Sequence, residues 1–407
     1  MTADTTHLKT IQDRLHWLSH WMIHHANHIR AKEDGIKIGG HQASSASMVS
    51  IMTALCFSAL RPEDRVAVKP HASPIFHAMQ YLMGNQTLEK MKNFRGFEGV
   101  QSYPSRTKDV DDVDYSTGSV GLGVAITAFG SIVQDYLLTK DWASDVTPGR
   151  HVALLGDAEL DEGNIYEALQ EGWKNNLRNC WWIIDYNRQS LDGVVREGLF
   201  ERVEKIFDAF GWRVLRIKHG ALQRAAFAEK GGDALRDWID ACPNQEYSAL
   251  TYQGGAIWRK RLMDDLGDQG PVSALIDARS DNELAELMEN LGGNCVATMA
   301  ESFAKVTDDR PTCFLAYTIK GWNTPIAGHK DNHGGLMTKT QMAGWQKHMG
   351  VPEGQEWDKF AAVPDSTALQ GFLDRVPFFA RGRRRFSDAL LPVPEIALSP
   401  DREISTQ

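Results

Sequence analysis

The chain has only five cysteines among 407 residues, Cys56, Cys180, Cys242, Cys295 and Cys313, and no two of them form a CxxC pair. Such an odd, widely spaced set points to reduced thiols and a cytoplasmic setting, without a disulfide framework. Basic excess is missing too: 44 Lys and Arg stand against 53 Asp and Glu, a formal charge of -9, which excludes the electrostatic footprint of a nucleic-acid binder. The short basic run at 381–386 reads as a solvated linker. No signal-like pattern opens the chain, and no internal repeat is visible. The longest uncharged stretch, Tyr115 to Gln134, holds four glycines and several Ser and Thr, so it predicts a buried turn and helix and no membrane span.

What is present is alternation. Residues 7–32 show helical spacing at Leu8, Ile11, Leu15, Leu18 and Met22. The same segment carries His16, His20, His24 and His28, a stripe without a partner acid, read as solvated or partner-facing. Further on, helical segments alternate with the short apolar runs "RVAVKPH", "HVALLGD", "NCWWIIDYN", "WRVLRIK" and "TCFLAYTIKG". This pattern predicts an α/β fold: a parallel sheet flanked by helices on both faces. The sequence divides into a domain over 1–340 with an N-terminal helix, and a Pro- and charge-rich linker or extension over 341–407.

One stretch concentrates charge: "GDAELDEGN", 156–164, puts four acids directly after an apolar strand. A calcium loop fails, because Gly163 falls one place late and Ala168 stands where the last ligand belongs. Helix N-terminal charge explains Asp161 and Glu162 but leaves Asp157 unexplained. The third reading is a magnesium site for a diphosphate, with ligands from the Asp157 carboxylate, the Asn187 side-chain oxygen and the Gln189 main-chain carbonyl. About thirty residues separate Asp157 from Asn187, the span of a right-handed crossover, so both belong at the carboxyl ends of parallel strands.

"GD", some thirty residues, "N", then "LDG" resembles the thiamine diphosphate motif of transketolases and of the homodimeric type of pyruvate dehydrogenase decarboxylating component. "IGGHQASSAS", "HASP", "GVQSYPSR", "GSVGLG", "DYNRQSLDG", "AFGW" and "YTIKGW" follow that family's order along nearly the whole chain. The resemblance implies thiamine diphosphate with Mg2+ as cofactors. It implies active-site roles for His41 and His71, with Ser44 beside the first, and for His333 as a transketolase-like loop histidine. Cofactor contacts are implied at Tyr103, Gly118, Val120, Leu191 and Lys320, and in the acidic turn at Gly156, Asp157, Ala158 and Glu159 together with Asn187 and Gln189. Two departures stand out. The family's second glycine of "GDG" is Ala158, which strains the turn if that position needs φ > 0. "AGHKDNHGG" is closer to the transketolase loop than to the dehydrogenase one.

In this family a second domain supplies the glutamate that meets the cofactor's pyrimidine. The chain stops just past "REIST" (402–406), where that domain begins in the homodimeric dehydrogenases. The expectation is therefore the diphosphate-binding subunit of a split enzyme, in a hetero-oligomer such as a heterotetramer. Its partner subunit carries the pyrimidine-binding and C-terminal domains, and apolar surface near the acidic turn, with Glu162, faces that partner. The implied reaction cleaves a carbon-carbon bond beside the carbonyl of a 2-oxo acid or ketose phosphate and passes a two-carbon unit to a lipoyl carrier. A split transketolase acting on an aldose and a non-catalytic regulatory subunit are the alternatives.

Overall fold

The computed structural model describes residues 5–32, 35–144, 146–190 and 193–379. Its centre is a five-stranded, wholly parallel sheet made of β1 (Arg65–Ala67), β2 (His151–Gly156), β3 (Cys180–Tyr186), β4 (Arg213–Ile217) and β5 (Thr312–Tyr317). The order across the sheet is β1-β2-β3-β5-β4. All five runs expected from the sequence are strands. β2 and β3 are buried along their whole length, as continuous apolar strands covered on both faces must be.

Each face has its own core. Trp181 joins the N-terminal helix Thr5–His28 and the helices Gln42–Ala54 and Ser73–Leu82 in one cluster. The next residue, Trp182, faces the other way, into a cluster built with the helices Leu122–Thr139, Gly163–Lys174 and Leu199–Ala209. Strand geometry sends successive side chains to opposite faces, and this Trp pair shows it directly. Between β4 and β5 the chain inserts helices from Ala221–Phe227 to Asp281–Glu289 around a third core containing Leu235, Trp258, Leu262 and Leu284.

Three expectations need correction. The histidine stripe is not solvated: His16, His20 and His24 are buried, and His16 packs on Trp322 and Trp345 with ring centroids 5.8 and 5.0 Å away. Residues 341–379 are not a linker. Met342, Trp345, Leu369 and Leu373 belong to the first core, and Arg14 and Trp17 donate to carbonyls of Asp358, Lys359 and Glu356. The remainder of the expected linker, 380–407, lies outside the described residues.

The third correction concerns the uncharged stretch. It does form a turn and a helix, but the helix Leu122–Thr139 is only half covered. Val124, Ala125, Ala128 and Ser131 pack inward. Leu122, Ile126, Phe129, Val133 and Tyr136 lie on the other side at 44–55% exposure. Their spacing of four and three residues makes one continuous apolar stripe. By length and composition alone this helix could cross a membrane.

Candidate functional site

The carboxyl ends of the strands converge on one cavity of about 280 Å3. In an open parallel sheet the loops leaving these ends are free to part where strand order reverses, which here lies between β3 and β5. Lys69, Pro70 and His71 come from the turn after β1, Asp157 and Glu159 from the 3-10 turn after β2, Asn187 and Gln189 from the loop after β3, and Lys320 and His333 from the segment after β5. Ser44 closes one side from the Gln42–Ala54 helix, and Val120, Gly156 and Ala158 complete the wall.

The floor is a network of buried charge. Lys69 Nζ donates to Asp185 Oδ2 at 2.7 Å, and the same oxygen accepts from Ser47 Oγ at 2.7 Å and Asn187 Nδ2 at 3.3 Å. Thr318 donates to the other Asp185 oxygen. Burial alone pushes the Asp185 carboxyl up, but Lys69 and these donors outweigh it and hold Asp185 ionised. The same pairing keeps Lys69 charged although it is buried.

Asp157 differs. Among the described residues its oxygens accept only from backbone N–H groups, of Ala158 at 3.0 Å and Arg188 at 2.7 Å. Burial, followed by the Asp185 charge, raises its pKa to about 7. Glu159 is raised as well, chiefly by burial, and accepts from the backbone of Gly156 and Gly121 at 3.1 and 3.3 Å. Burial thus disfavours the charge of Asp157 and Glu159 beside the ionised Asp185, a cost that a divalent cation at the cavity would offset.

Acceptor atoms fit such a cation. The Asp157 carboxylate retains lone pairs, and the Asn187 side-chain oxygen, which accepts from Gln189 N at 3.0 Å, lines the same cavity. The buried Gln189 Oε1 has no hydrogen-bond partner among the described residues. The donor set is all oxygen, the kind magnesium takes. The orphaned Gln189 atom is on the side chain, whereas the sequence reading chose the main-chain carbonyl.

The histidines gather at the mouth. His41 and His71 stack with centroids 3.8 Å apart, and His333 is 5.4 Å from each. Burial, and for His71 next the neighbouring His41, lowers their pKa values to about 4 and about 2, so both rings are neutral at pH 7. Lys320 Nζ is 3.3 Å from His333 Nδ1. Tyr103 stands behind His71, centroids 6.1 Å apart, and its ring would lie 3.3 Å from a Cβ at Gly118, whose φ is +148°. His41, Tyr103 and Gly118 adjoin the cavity without lining it, and Leu191 lies outside the described residues.

Ala158 causes no strain: it sits within the 3-10 turn Asp157–Asp161 and is not among the residues at positive φ. The strained residue is Arg188, at φ +65°, between the two expected ligands. Its left-handed conformation aims its N–H at Asp157, while its guanidinium donates to the Thr318 carbonyl and lies over Tyr247. Sequence reasoning missed Arg188, Lys69 and Asp185. An acid ending the apolar run "WWIIDY" and a lysine opening "KPHASP" were the available signals.

Residues 58–229 match the family described as transketolase, thiamine diphosphate binding domain. The chain is 25% identical over 389 residues to the pyruvate dehydrogenase E1 component of Haemophilus influenzae, covering 90% of this chain and 43% of that one. The Escherichia coli E1 component is 27% identical over 330 residues, 78% of this chain and 36% of that protein. Among solved structures, transketolase from Leishmania mexicana superposes with a TM-score of 0.63 at 15% identity, covering 93% of this chain and 45% of that one. Transketolase from Campylobacter jejuni gives 0.56 at 20% identity, covering 85% and 43%. The chain spans less than half the length of these relatives. Residues 58–229 therefore resemble a transketolase-type thiamine diphosphate-binding domain, and the chain is like the N-terminal half of transketolases and pyruvate dehydrogenase E1 components.

Proposed function

We propose that this chain is the diphosphate-binding subunit of a two-subunit, thiamine diphosphate-dependent enzyme of the cytoplasm. In this reading it cleaves a carbon-carbon bond beside the carbonyl of a 2-oxo acid or ketose phosphate and passes the two-carbon unit to a lipoyl-type carrier. The observation that carries it is the pairing of Asp157 and Asn187 at adjacent strand ends, opening onto one cavity.

Asp157, Asn187 and Gln189 would hold Mg2+, and Mg2+ would hold the diphosphate. When bound, the thiazolium ring supplies the carbon nucleophile and electron sink that such cleavage needs. The chain's own groups do the rest. Lys69 and Asp185 fix the floor by fixing Asn187. His41 and His71, neutral and stacked, can each accept a proton from, or donate a hydrogen bond to, a donor's oxygen atoms. Lys320 adds a positive charge beside them.

A partner subunit bearing the pyrimidine-binding and C-terminal domains is supported by the apolar stripe from Leu122 to Tyr136. That stripe begins next to Gly121, where a Cβ would press on Glu162 and Asn164 of the acidic turn. A cover over it would thus touch the cavity wall, in a heterotetramer like the dimer of two-domain relatives.

Calorimetry of thiamine diphosphate with saturating Mg2+, on the chain together with that partner, tests the proposal. Asp157→Asn is expected to weaken binding at least 100-fold. Binding of the cofactor that ignores both Mg2+ and this substitution overturns the assigned site. Release of carbon dioxide or of an aldehyde then identifies the donor.

A further inference from the structure

The carboxylate and amide oxygens account for a hard cation, but they leave the histidines at the cavity mouth with a capacity of their own. One ring nitrogen each from His41, His71 and His333 can be chosen so that all lie within 4.8 Å of one another. The three come from well-separated segments: His41 just before the Gln42–Ala54 helix, His71 in the turn after β1 and His333 in the loop after β5. No short-range turn forces them together. His41 Nδ1 is 3.4 Å from the His333 carbonyl oxygen and donates to it, which leaves the Nε2 lone pair of His41 available.

We infer that His41, His71 and His333 form a site for a transition-metal dication of the zinc class, bound through three imidazole nitrogens with the fourth position open to the cavity. Imidazole suits Zn2+, Co2+ and Ni2+, whereas magnesium takes oxygen, so this site is chemically distinct from the one at Asp157. Zinc–nitrogen bonds of about 2.0–2.1 Å place tetrahedral ligands roughly 3.4 Å apart, so nitrogens up to 4.8 Å apart must close by up to about 1.4 Å when the metal binds.

One group opposes binding. Lys320 Nζ, 3.3 Å from His333 Nδ1, repels a dication and must swing away before that ring can ligate. The functional consequence rests on the proposed enzyme: a metal held here takes the imidazoles away from the donor, so Zn2+ inhibits turnover. Binding itself does not depend on that reading.

The test titrates Co2+ into the intact chain and reads the visible bands of tetrahedral cobalt. One equivalent is expected to bind and to be displaced by one equivalent of Zn2+. Each of His41→Ala, His71→Ala and His333→Ala is expected to weaken binding at least tenfold, and Lys320→Met to strengthen it at least about fivefold. His24→Ala with His28→Ala, and Asp157→Asn, are expected to leave the bands in place. Bands that survive the three site variants, or vanish with the His24 and His28 pair, overturn the site. Zn2+ protection of His41 and His71 from diethyl pyrocarbonate, mapped on unaltered chain, covers the case of a misfolded variant, and equal modification with and without Zn2+ overturns the proposal. Thiamine diphosphate binding without a cobalt signal sinks this inference alone, and cobalt binding without cofactor binding sinks only the earlier proposal.

Discussion

Two groups of histidines, less than one domain apart, share a composition and differ in everything that makes a site. His16, His20 and His24 line one helix, and His41, His71 and His333 are collected from three loops. Burial pushes the pKa down for His16, His20 and His24 in the first and for His41 and His71 in the second. In the first, apolar rings fill the surroundings: His16 is wedged against Trp322 and Trp345, and the two ring nitrogens of His20 lie 2.8 and 3.0 Å from the His16 and Gln42 carbonyls, to one of which the neutral ring donates. In the second, the nitrogens converge beside an open cavity. A perturbed pKa therefore marks burial, and only convergence on empty space marks chemistry.

Substitution in the second group has the larger expected effect. In the proposed complex, His71→Ala should lower turnover by about 10²- to 10⁴-fold, the usual contribution of a positioned proton-transfer group, while urea unfolding stays near wild type. A large stability loss without a loss of rate would erase the contrast. His20→Ala should do the reverse, costing about 2–3 kcal/mol in urea unfolding because it leaves a cavity, while the folded fraction retains its rate.

pH sharpens the comparison next. His16, His20, His24, His41 and His71 have folded-state pKa values below the unfolded value near 6.5, so the unfolded chain takes up protons first. Their stability contribution is present above about pH 6.5 and is lost as pH falls through about 4 for His20, His24 and His41. Urea midpoints should drop steadily between pH 7 and 5, and His20→Leu should flatten part of that slope. Asp157, raised to about 7 mainly by burial, has the opposite sign: it contributes stability at low pH that is lost as pH rises through about 7. A metal-bound diphosphate needs it ionised, so cofactor affinity should rise from pH 6 to 8, and Asp157→Asn should abolish that rise.

The smallest effect belongs to His16, whose ring nitrogens have no partner among the described residues. His16→Phe should be neutral or stabilising by up to about 1 kcal/mol, since it removes a buried polar group without removing the ring. A loss of several kcal/mol would mean that the imidazole is held by something more than stacking.

The strands were legible in the sequence because parallel strands buried on both faces read as plain apolar runs. Asp157 and Asn187 were legible because a ligand site at neighbouring strand ends imposes a fixed spacing. What hid was whatever depends on distant chain. Lys69 and Asp185 become a pair only when β1 and β3 flank β2, and 116 residues separate them. The histidine stripe looked solvated because the tryptophans that bury it, Trp322 and Trp345, arrive some three hundred residues later. Residues 341–379 looked like a linker because their apolar residues are sparse, although Met342, Trp345, Leu369 and Leu373 belong to the same core as the N-terminal helix. Ala158 looked strained because the expected left-handed residue lies thirty positions on, at Arg188.

The half-bare helix from Leu122 to Thr139 sets terms for the life of the chain before any catalysis. A ribbon of leucine, isoleucine, phenylalanine and valine left in water attracts its like, so a solitary preparation should clump as its concentration rises. Manufacture of this polypeptide is thereby tied to the simultaneous supply of whatever shields that ribbon, and orphaned copies become substrates for chaperones and proteases.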